Sequence, residues 1–369
     1  MADARPITAA DGVLLEVRDL KVHFPLGHSR MLARSGGAVR AVDGVTLQIR
    51  RGETLGLVGE SGSGKTTLGR AVLRAIEPTA GRVIFHHGGA AIDVTALNRR
   101  GLRSVWQHMQ MVFQDPYASL NPRMTVRDII GEPLVAHRLA RGKALEQRVA
   151  DIAGRCGLGI EHLGRYPHAF SGGQRQRIAI ARALVLQPEF VVCDEPVSAL
   201  DVSIQAQILN LLRALQRELG PAYLFISHDL AAVAYASDRV AVMSLGEIVE
   251  LAPTEDLYYR PKHPYTEALM AAIPAADPDA PTRPAPLAGE RPDPADPPPG
   301  CRFHTRCRYA DDLCRHVPPV LTEQAPGHFA ACHYAGRLRL AGAFEQAAST
   351  RGPAAPPLAP AIEGGSLAS

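Results

Sequence analysis

Eight consecutive residues, Gly59-Glu60-Ser61-Gly62-Ser63-Gly64-Lys65-Thr66, have the types and spacing to hold a chain of phosphates. Gly59, Ser61, Gly62 and Gly64 belong to a loop poor in bulky side chains, so its backbone N–H groups can turn inward around phosphate oxygens. Lys65 supplies a cation for the phosphoryl group in transfer. The hydroxyl of Thr66, followed by Thr67, is placed to ligate Mg²⁺. A second carboxylate-bearing segment, Phe190-Val191-Val192-Cys193-Asp194-Glu195, is an apolar run ending in two acids. Asp194 there can hold the metal through water, and Glu195 can orient and deprotonate an attacking water. Either piece alone is ordinary, a Gly-rich turn or a pair of solvated acids. Together they spell nucleoside triphosphate hydrolysis.

Elements must position these groups. Residues 54–58, Thr-Leu-Gly-Leu-Val, read as a short apolar strand that runs into the loop, and a helix starts at Lys65, its N-terminus adding partial positive charge. Residues 190–193 and 223–226 are continuous apolar runs, as buried parallel strands tend to be. Residues 14–17 and 45–49 look like half-buried strands. Residues 204–219 place Ile208, Leu211, Leu212, Leu215 and Leu219 at helical spacing. The pattern is α/β with a mostly parallel sheet.

The organisation follows the prolines. Ten of the chain's 30 fall between Pro274 and Gly300, a stretch that reads as an extended, semi-rigid linker. It separates a globular part, residues 13–273, from a Cys-rich piece, residues 301–335. Residues 336–369 read as a flexible tail, Ala/Gly/Pro/Ser-rich towards the end. With 40 Lys+Arg against 37 Asp+Glu the net charge is +3, too weak to mark a nucleic-acid binder. Met1 to Gly12 has no apolar run and is not a secretory signal. No stretch approaches the roughly 18–20 apolar residues that span a bilayer. These features place the chain in the cytoplasm, with its thiols reduced.

Between the two carboxyl-bearing segments lies Phe170-Ser171-Gly172-Gly173-Gln174-Arg175, in which Ser171 can cap a helix and two glycines can let its N-terminus approach a phosphate. Here the sequence resembles the ATP-binding cassette family, whose signature peptide is close to Leu-Ser-Gly-Gly-Gln, with Phe170 in place of the commoner Leu. The resemblance implies a P-loop ATPase fold of that type: a RecA-like core, an antiparallel β subdomain and a helical subdomain at about 115–185. It also implies roles. Gln114 would sense Mg²⁺ and the attacking water. Asp201, in Ser198-Ala199-Leu200-Asp201, would belong to a loop crossing a dimer interface. His228 would contact the γ-phosphate, and Ser171, Gly172, Gly173 and Gln174 would face ATP bound to an opposite subunit. Phe24 would stack on adenine; the alternative for it is a simple core residue.

A narrower resemblance rests on Asp115-Pro116-Tyr117-Ala118-Ser119-Leu120-Asn121-Pro122, on Asp201-Val202-Ser203-Ile204-Gln205-Ala206-Gln207, and on His263-Pro264-Tyr265-Thr266-Glu267-Ala268-Leu269. These segments are similar to the ATPase subunits of oligopeptide and dipeptide importers, some of which serve nickel or other small solutes. The implied partners are two membrane permease subunits, a second cassette ATPase (a sister subunit) and, indirectly, an external solute-binding protein. The implied place is the cytoplasmic face of the membrane. The rival class is a soluble cassette ATPase acting on DNA or ribosomes. One phosphate loop, no heptad run and little net charge disfavour it.

Of six cysteines, four cluster late in the chain: Cys301, Cys307, Cys314 and Cys332. In a cytosolic protein they read as metal ligands before disulfides. Their spacing is wider than structural zinc knuckles, and four thiolates can equally hold a [4Fe–4S] cluster. Free thiols with a packing role are the third reading. The segment Gly300-Cys301-Arg302-Phe303-His304-Thr305-Arg306-Cys307 resembles the C-terminal region of the peptide-importer ATPases, which favours iron–sulfur. Arg302, Arg306, Arg308 and Arg315 are expected to balance the anionic ligands.

Overall fold

The computed structural model describes residues 12–26, 37–198, 200–273, 289–290 and 292–343. The N-terminal segment 1–11, residues 27–36, Ala199, linker residues 274–288 and 291, and tail residues 344–369 lie outside the described residues. The strands in chain order are β1 (Val13–Pro25), β2 (Ala38–Arg50), β3 (Thr54–Val58), β4 (Ala80–His87), β5 (Ala90–Asp93), β6 (Met109–Val112), β7 (Phe190–Asp194), β8 (Ala222–Ile226), β9 (Arg239–Ser244), β10 (Glu247–Pro253), β11 (Thr322–Ala325) and β12 (His328–Ala330).

They form two sheets. One is four-stranded, β2-β1-β4-β5, and antiparallel throughout. The other has eight strands, β11-β12-β10-β9-β3-β8-β7-β6. Its run β9-β3-β8-β7-β6 is parallel, and β10, β12 and β11 extend it antiparallel. The sequence suggested a mostly parallel sheet; antiparallel strands enter because tight turns such as Leu245-Gly246 close hairpins that helical crossovers cannot.

The parallel strands are buried on both faces, which explains their unbroken apolar sequences. In β7, Phe190 and Val192 point into a core shared with the four-stranded sheet, while Val191 and Cys193 point into a core shared with helices. Burying each such side chain contributes about 1.5–3 kcal/mol. Gly56 in β3 lets the helix Leu230–Ala236 lie directly on the sheet: a Cβ there would stand 2.6 Å from Val233 Cγ1. Helices Val126–Ala136, Gly142–Arg155 and Gly172–Leu184 pack through Ile129, Ile130, Leu134, Val149, Ile152 and Ile178. Among the described residues no helix is long and apolar enough to cross a membrane.

The Cys-rich segment is joined to the main sheet by pairing of β12 with β10, Glu250 opposite Ala330. Residues 336–343, expected in the tail, instead pack: Leu340 and Ala343 are buried, and the Ala343 N–H donates to the Tyr258 carbonyl at 2.7 Å. Gly342 and Ala343 lie against the backbone of the helix Thr254–Tyr259, a contact that composition alone does not reveal.

Candidate functional site

The loop between β3 and the helix Lys65–Val72 sits at the carboxyl end of the parallel strands, where open α/β sheets bind ligands. Two of its glycines are sterically required. A Cβ on Gly59 (φ +150°) would lie 2.1 Å from the Met243 carbonyl oxygen, and one on Gly64 (φ +109°) 2.0 Å from that of Ala41. Loop and neighbours enclose a cleft of about 220 Å³ lined by Ser61 to Thr67, Gln114 and Glu195, with Arg40 and Pro294 at its edge. The buried Lys65 ammonium donates to the Gly59 and Glu60 carbonyls at 2.8 and 2.9 Å, which holds the cation inside the loop.

Thr66 Oγ1 donates to Asp194 Oδ1 at 2.8 Å, so the two expected Mg²⁺ ligands already touch. Asp194 is fully buried at the end of β7, and its Oδ2 is a buried oxygen without a hydrogen-bond partner. Burial pushes its carboxyl pKa up, against the pull of the Thr66 hydroxyl and of Arg70. A buried, half-satisfied carboxylate beside a hydroxyl is a donor set suited to a hard cation. The residues therefore fit Mg²⁺, which supplies charge neutralisation of the phosphates when bound.

Glu195 follows with φ +47°, in the left-handed region that costs a non-Gly residue strain energy. Its N–H donates to the Ile226 carbonyl at 2.9 Å, which fixes the turn. The turn aims the carboxylate into the cleft, where Oε2 accepts from Gln114 Nε2 at 2.7 Å and Oε1 lies 3.2 Å from His228 Nδ1. Segments from three strand ends, β6, β7 and β8, thus converge on one carboxylate.

Other expected site residues stand apart from this cleft. Ser171 caps the helix Gly172–Leu184 with a capping box: its Oγ accepts from the Gln174 N–H at 3.4 Å, and its own N–H donates to Gln174 Oε1 at 3.0 Å. Gly173 lies against the next helix, where a Cβ would meet Ile204 Cγ2 at 2.5 Å. Asp201 precedes the helix Val202–Leu219 and is exposed. None of Ser171, Gly172, Gly173, Gln174 or Asp201 lines the cleft around Lys65. Phe24 is 42% exposed, so it is no core residue. It pairs across β1 and β2 with Val39, which lines the cleft, whereas Phe24 itself does not.

The four late cysteines line one small pocket with Phe303, Tyr309 and Pro264. Burial raises their thiol pKa values, Cys301 to about 12 and Cys332 to about 11. Backbone groups of Phe303, Tyr309 and Tyr334 bond to Cys301, Cys307 and Cys332, each two residues on, and oppose that rise. For Cys332 the Tyr334 N–H stands 3.4 Å from the sulfur. Among the described residues, the group whose donor atoms all lie within 4.8 Å of one another is His87, His108 and Glu189; no three of the cysteine sulfurs do. The expected arginines are taken up mainly by carboxylates, although the Arg308 charge also favours the Cys307 thiolate. Arg302 pairs with Asp43 and Glu247, Arg306 with Glu60, Arg308 with Glu267 and Arg315 with Asp312. Carboxylates win because protonated thiols offer a guanidinium no charge.

A broad groove of about 900 Å³ lies beside the cleft. It runs between the core and the helix Val126–Ala136, lined among others by Trp106, Phe113, Gln114, Glu132, His137 and Arg182. Gln114 lines both cavities.

Sequence reasoning missed Arg40, Pro294 and Tyr265 near the loop. Tyr265 Oη accepts from the Glu60 N–H at 2.9 Å. Tyr265 lies in the motif that runs from His263 to Leu269, but nothing local links it or the other two to the loop, since all three approach through chain crossings far away in sequence.

Comparison with known proteins matches residues 42–198 to the family described as ABC transporter, and residues 249–314 to the one described as oligopeptide/dipeptide transporter, C-terminal region. The oligopeptide transport ATP-binding protein AppF of Bacillus subtilis is 50% identical over 331 residues, covering 89% of this chain and 99% of AppF. A putative peptide import ATP-binding protein of Brucella ovis is 54% identical over 327 residues, 86% of this chain and 97% of that protein. A dimeric ATP-binding cassette solved in a post-hydrolysis state with ADP and Pi has a TM-score of 0.57 at 25% identity, covering 65% of this chain and 99% of that one. The cassette cbiO1 from Clostridium perfringens also has a TM-score of 0.57, at 27% identity, covering 67% and 91%.

Proposed function

The chain belongs to the ABC transporter family, among the ATP-binding proteins of peptide transport, and from that premise we propose that it hydrolyses ATP to power the import of di- or oligopeptides. The observation that carries the catalytic half is the convergence of Gln114 and His228 on Glu195, beside a loop whose Thr66 touches Asp194.

The chemistry follows from those contacts. Lys65 and the loop N–H groups hold the phosphates, and Thr66 and Asp194 hold Mg²⁺. Glu195, oriented by Gln114, takes a proton from the attacking water, and His228 steadies the terminal phosphoryl group. Ser171 to Gln174 and Asp201 stand away from this cleft, which supports a second cassette, a sister subunit, completing each ATP site with its own signature helix. Two cassettes closing over ATP then move two permease subunits, to which an external binding protein delivers the solute. A ligand drives such closure only through tighter binding to the closed form. The large groove beside the cleft suits an element of a permease, and Gln114 connects it to Glu195. The chain then works at the cytoplasmic face of the membrane. Nickel and other small solutes are the alternative cargo.

Cys301, Cys307, Cys314 and Cys332 are the residues that would hold a [4Fe–4S] cluster. A cluster binds each thiolate at a different iron, so the sulfurs need not converge on one point as around zinc. What supports that choice is the single pocket that all four cysteines line. Anaerobic purification is expected to give a brown protein with about four irons per chain; a colourless, iron-free preparation from iron-replete cells contradicts the cluster. The importer reading is tested by co-purification from membranes, which should recover two permeases and a second cassette. Recovery with ribosomes or DNA contradicts it.

A further inference from the structure

The phosphate loop is held from outside the nucleotide-binding core. Glu60 is its second residue. Its carboxylate accepts two bonds from Arg306, at 2.8 Å from Nη1 and 2.9 Å from Nη2, a fork-to-fork pair. The Arg306 side chain is 7% exposed, and no element of the core sequence predicts its presence. The backbone of the same residue is held a second time, by the Tyr265 hydroxyl. Tyr265 is fully buried and meets Phe303 edge to face at 5.3 Å, and the Arg306 guanidinium lies 6.0 Å from the Phe303 ring. Phe303 lines the cysteine pocket and Arg306 directly precedes Cys307, which lines it too. Nearby, Arg302 reaches Asp43 and the Leu245 carbonyl, and the Pro294 carbonyl accepts from the Arg40 N–H at 3.2 Å at the cleft's edge.

We infer that Arg306 is a positioning residue for ATP binding: it neutralises the Glu60 carboxylate and fixes the phosphate loop, and thereby makes the cleft answer to the state of the cysteine pocket. The inference rests on the reading of the cleft as an ATP site. The physical logic is electrostatic. Glu60 is an anion in the loop that must receive a polyanion, and its repulsion of phosphates is tolerable only while a cation is locked onto it. The lock is anchored in the 3₁₀ turn His304–Arg306, between Cys301 and Cys307. Whatever orders or loosens that turn shifts the Glu60 pair, and with it the affinity for ATP. By reciprocity, bound ATP favours the ordered pocket.

The test uses the full chain and Mg-ATP, with binding measured by calorimetry and folding by the melting temperature without nucleotide. R306A is expected to weaken Mg-ATP binding roughly tenfold, within the range usual for coupled sites. Adding E60Q, which removes the repelling charge, should bring R306A back to within about twofold of the unaltered chain. R306K, which keeps the charge and loses the fork, should fall between. A purely structural role would not be rescued by E60Q, because the lost packing of Arg306 stays lost. Unchanged binding in R306A, or a loss that E60Q does not relieve, overturns the inference and leaves the ATP-site reading intact. Failure of the unaltered chain to bind Mg-ATP overturns both.

Discussion

Replacing Glu195 by Gln removes a base and little else. Gln has the size of Glu and no greater difficulty with the φ of +47° at this position. Both contacts can be remade: the new amide oxygen accepts from Gln114 Nε2, now 2.7 Å from the carboxylate, and the new NH₂ faces His228 Nδ1, now at 3.2 Å. The Ile226 carbonyl still accepts from the backbone N–H. What is lost is the proton acceptor for the attacking water. General-base catalysis supplies about 10²–10⁴-fold, which at 1.36 kcal/mol per tenfold raises the barrier by about 3–5 kcal/mol. Steady-state phosphate release should fall by that factor while Mg-ATP affinity stays within about twofold of the unaltered chain. Turnover within fivefold of normal would remove Glu195 from its role. A loss of ATP affinity matching the loss of turnover would mean that the carboxylate binds substrate and does not act as the base.

Other predictions concern the cleft and its supports. Asp194→Asn should abolish Mg²⁺-dependent ATP binding and raise the melting temperature of the nucleotide-free chain. Burial raises the carboxyl pKa, so the charged form burdens the folded state, and stability conferred by the protonated form declines as pH rises through the raised value. Gly173→Ala should push the signature helix off Ile204, costing about 1–3 kcal/mol of stability in denaturant unfolding and lowering ATP turnover further than ATP affinity. His263 is fully buried, with Nδ1 accepting from the Tyr265 N–H, and burial lowers its pKa to about 4. A histidine depressed in the folded state contributes stability above its ordinary value of about 6.5, lost as pH falls towards 4, about 3 kcal/mol in all. His263→Asn, which keeps a cap for the helix Pro264–Met270, should flatten the melting profile between those pH values. An unchanged profile would place the charge change elsewhere.

The cleft was legible in the sequence because its parts are local. The phosphate loop and Asp194 with Glu195 are each contiguous, and the runs that deliver them, β3 and β7, are unbroken apolar strands; the capping box Ser171–Gln174, equally contiguous, stands apart from the cleft. What escaped notice arrives by long crossings. Arg306 reaches Glu60 across 246 residues, and Tyr265 across 205. Arg302 and Arg306 were misread for the same reason: their carboxylate partners in β2, the phosphate loop and β10 are distant in sequence, whereas Arg315 pairs with its local neighbour Asp312. Phe24 was assigned by position alone; it is exposed and pairs across β1 and β2 with Val39, which lines the cleft.

ATP hydrolysis on this chain, in the proposed function, drives peptide entry. The most direct measurement is uptake of a labelled peptide into proteoliposomes bearing the co-purified permeases and both cassettes, with the matching binding protein outside and ATP within. ATP-dependent accumulation is expected, abolished by Glu195→Gln in this chain while ATP binding persists. Peptide uptake at the normal rate with that substitution, or ATP hydrolysis in the assembled complex that no peptide-loaded binding protein stimulates, would contradict it.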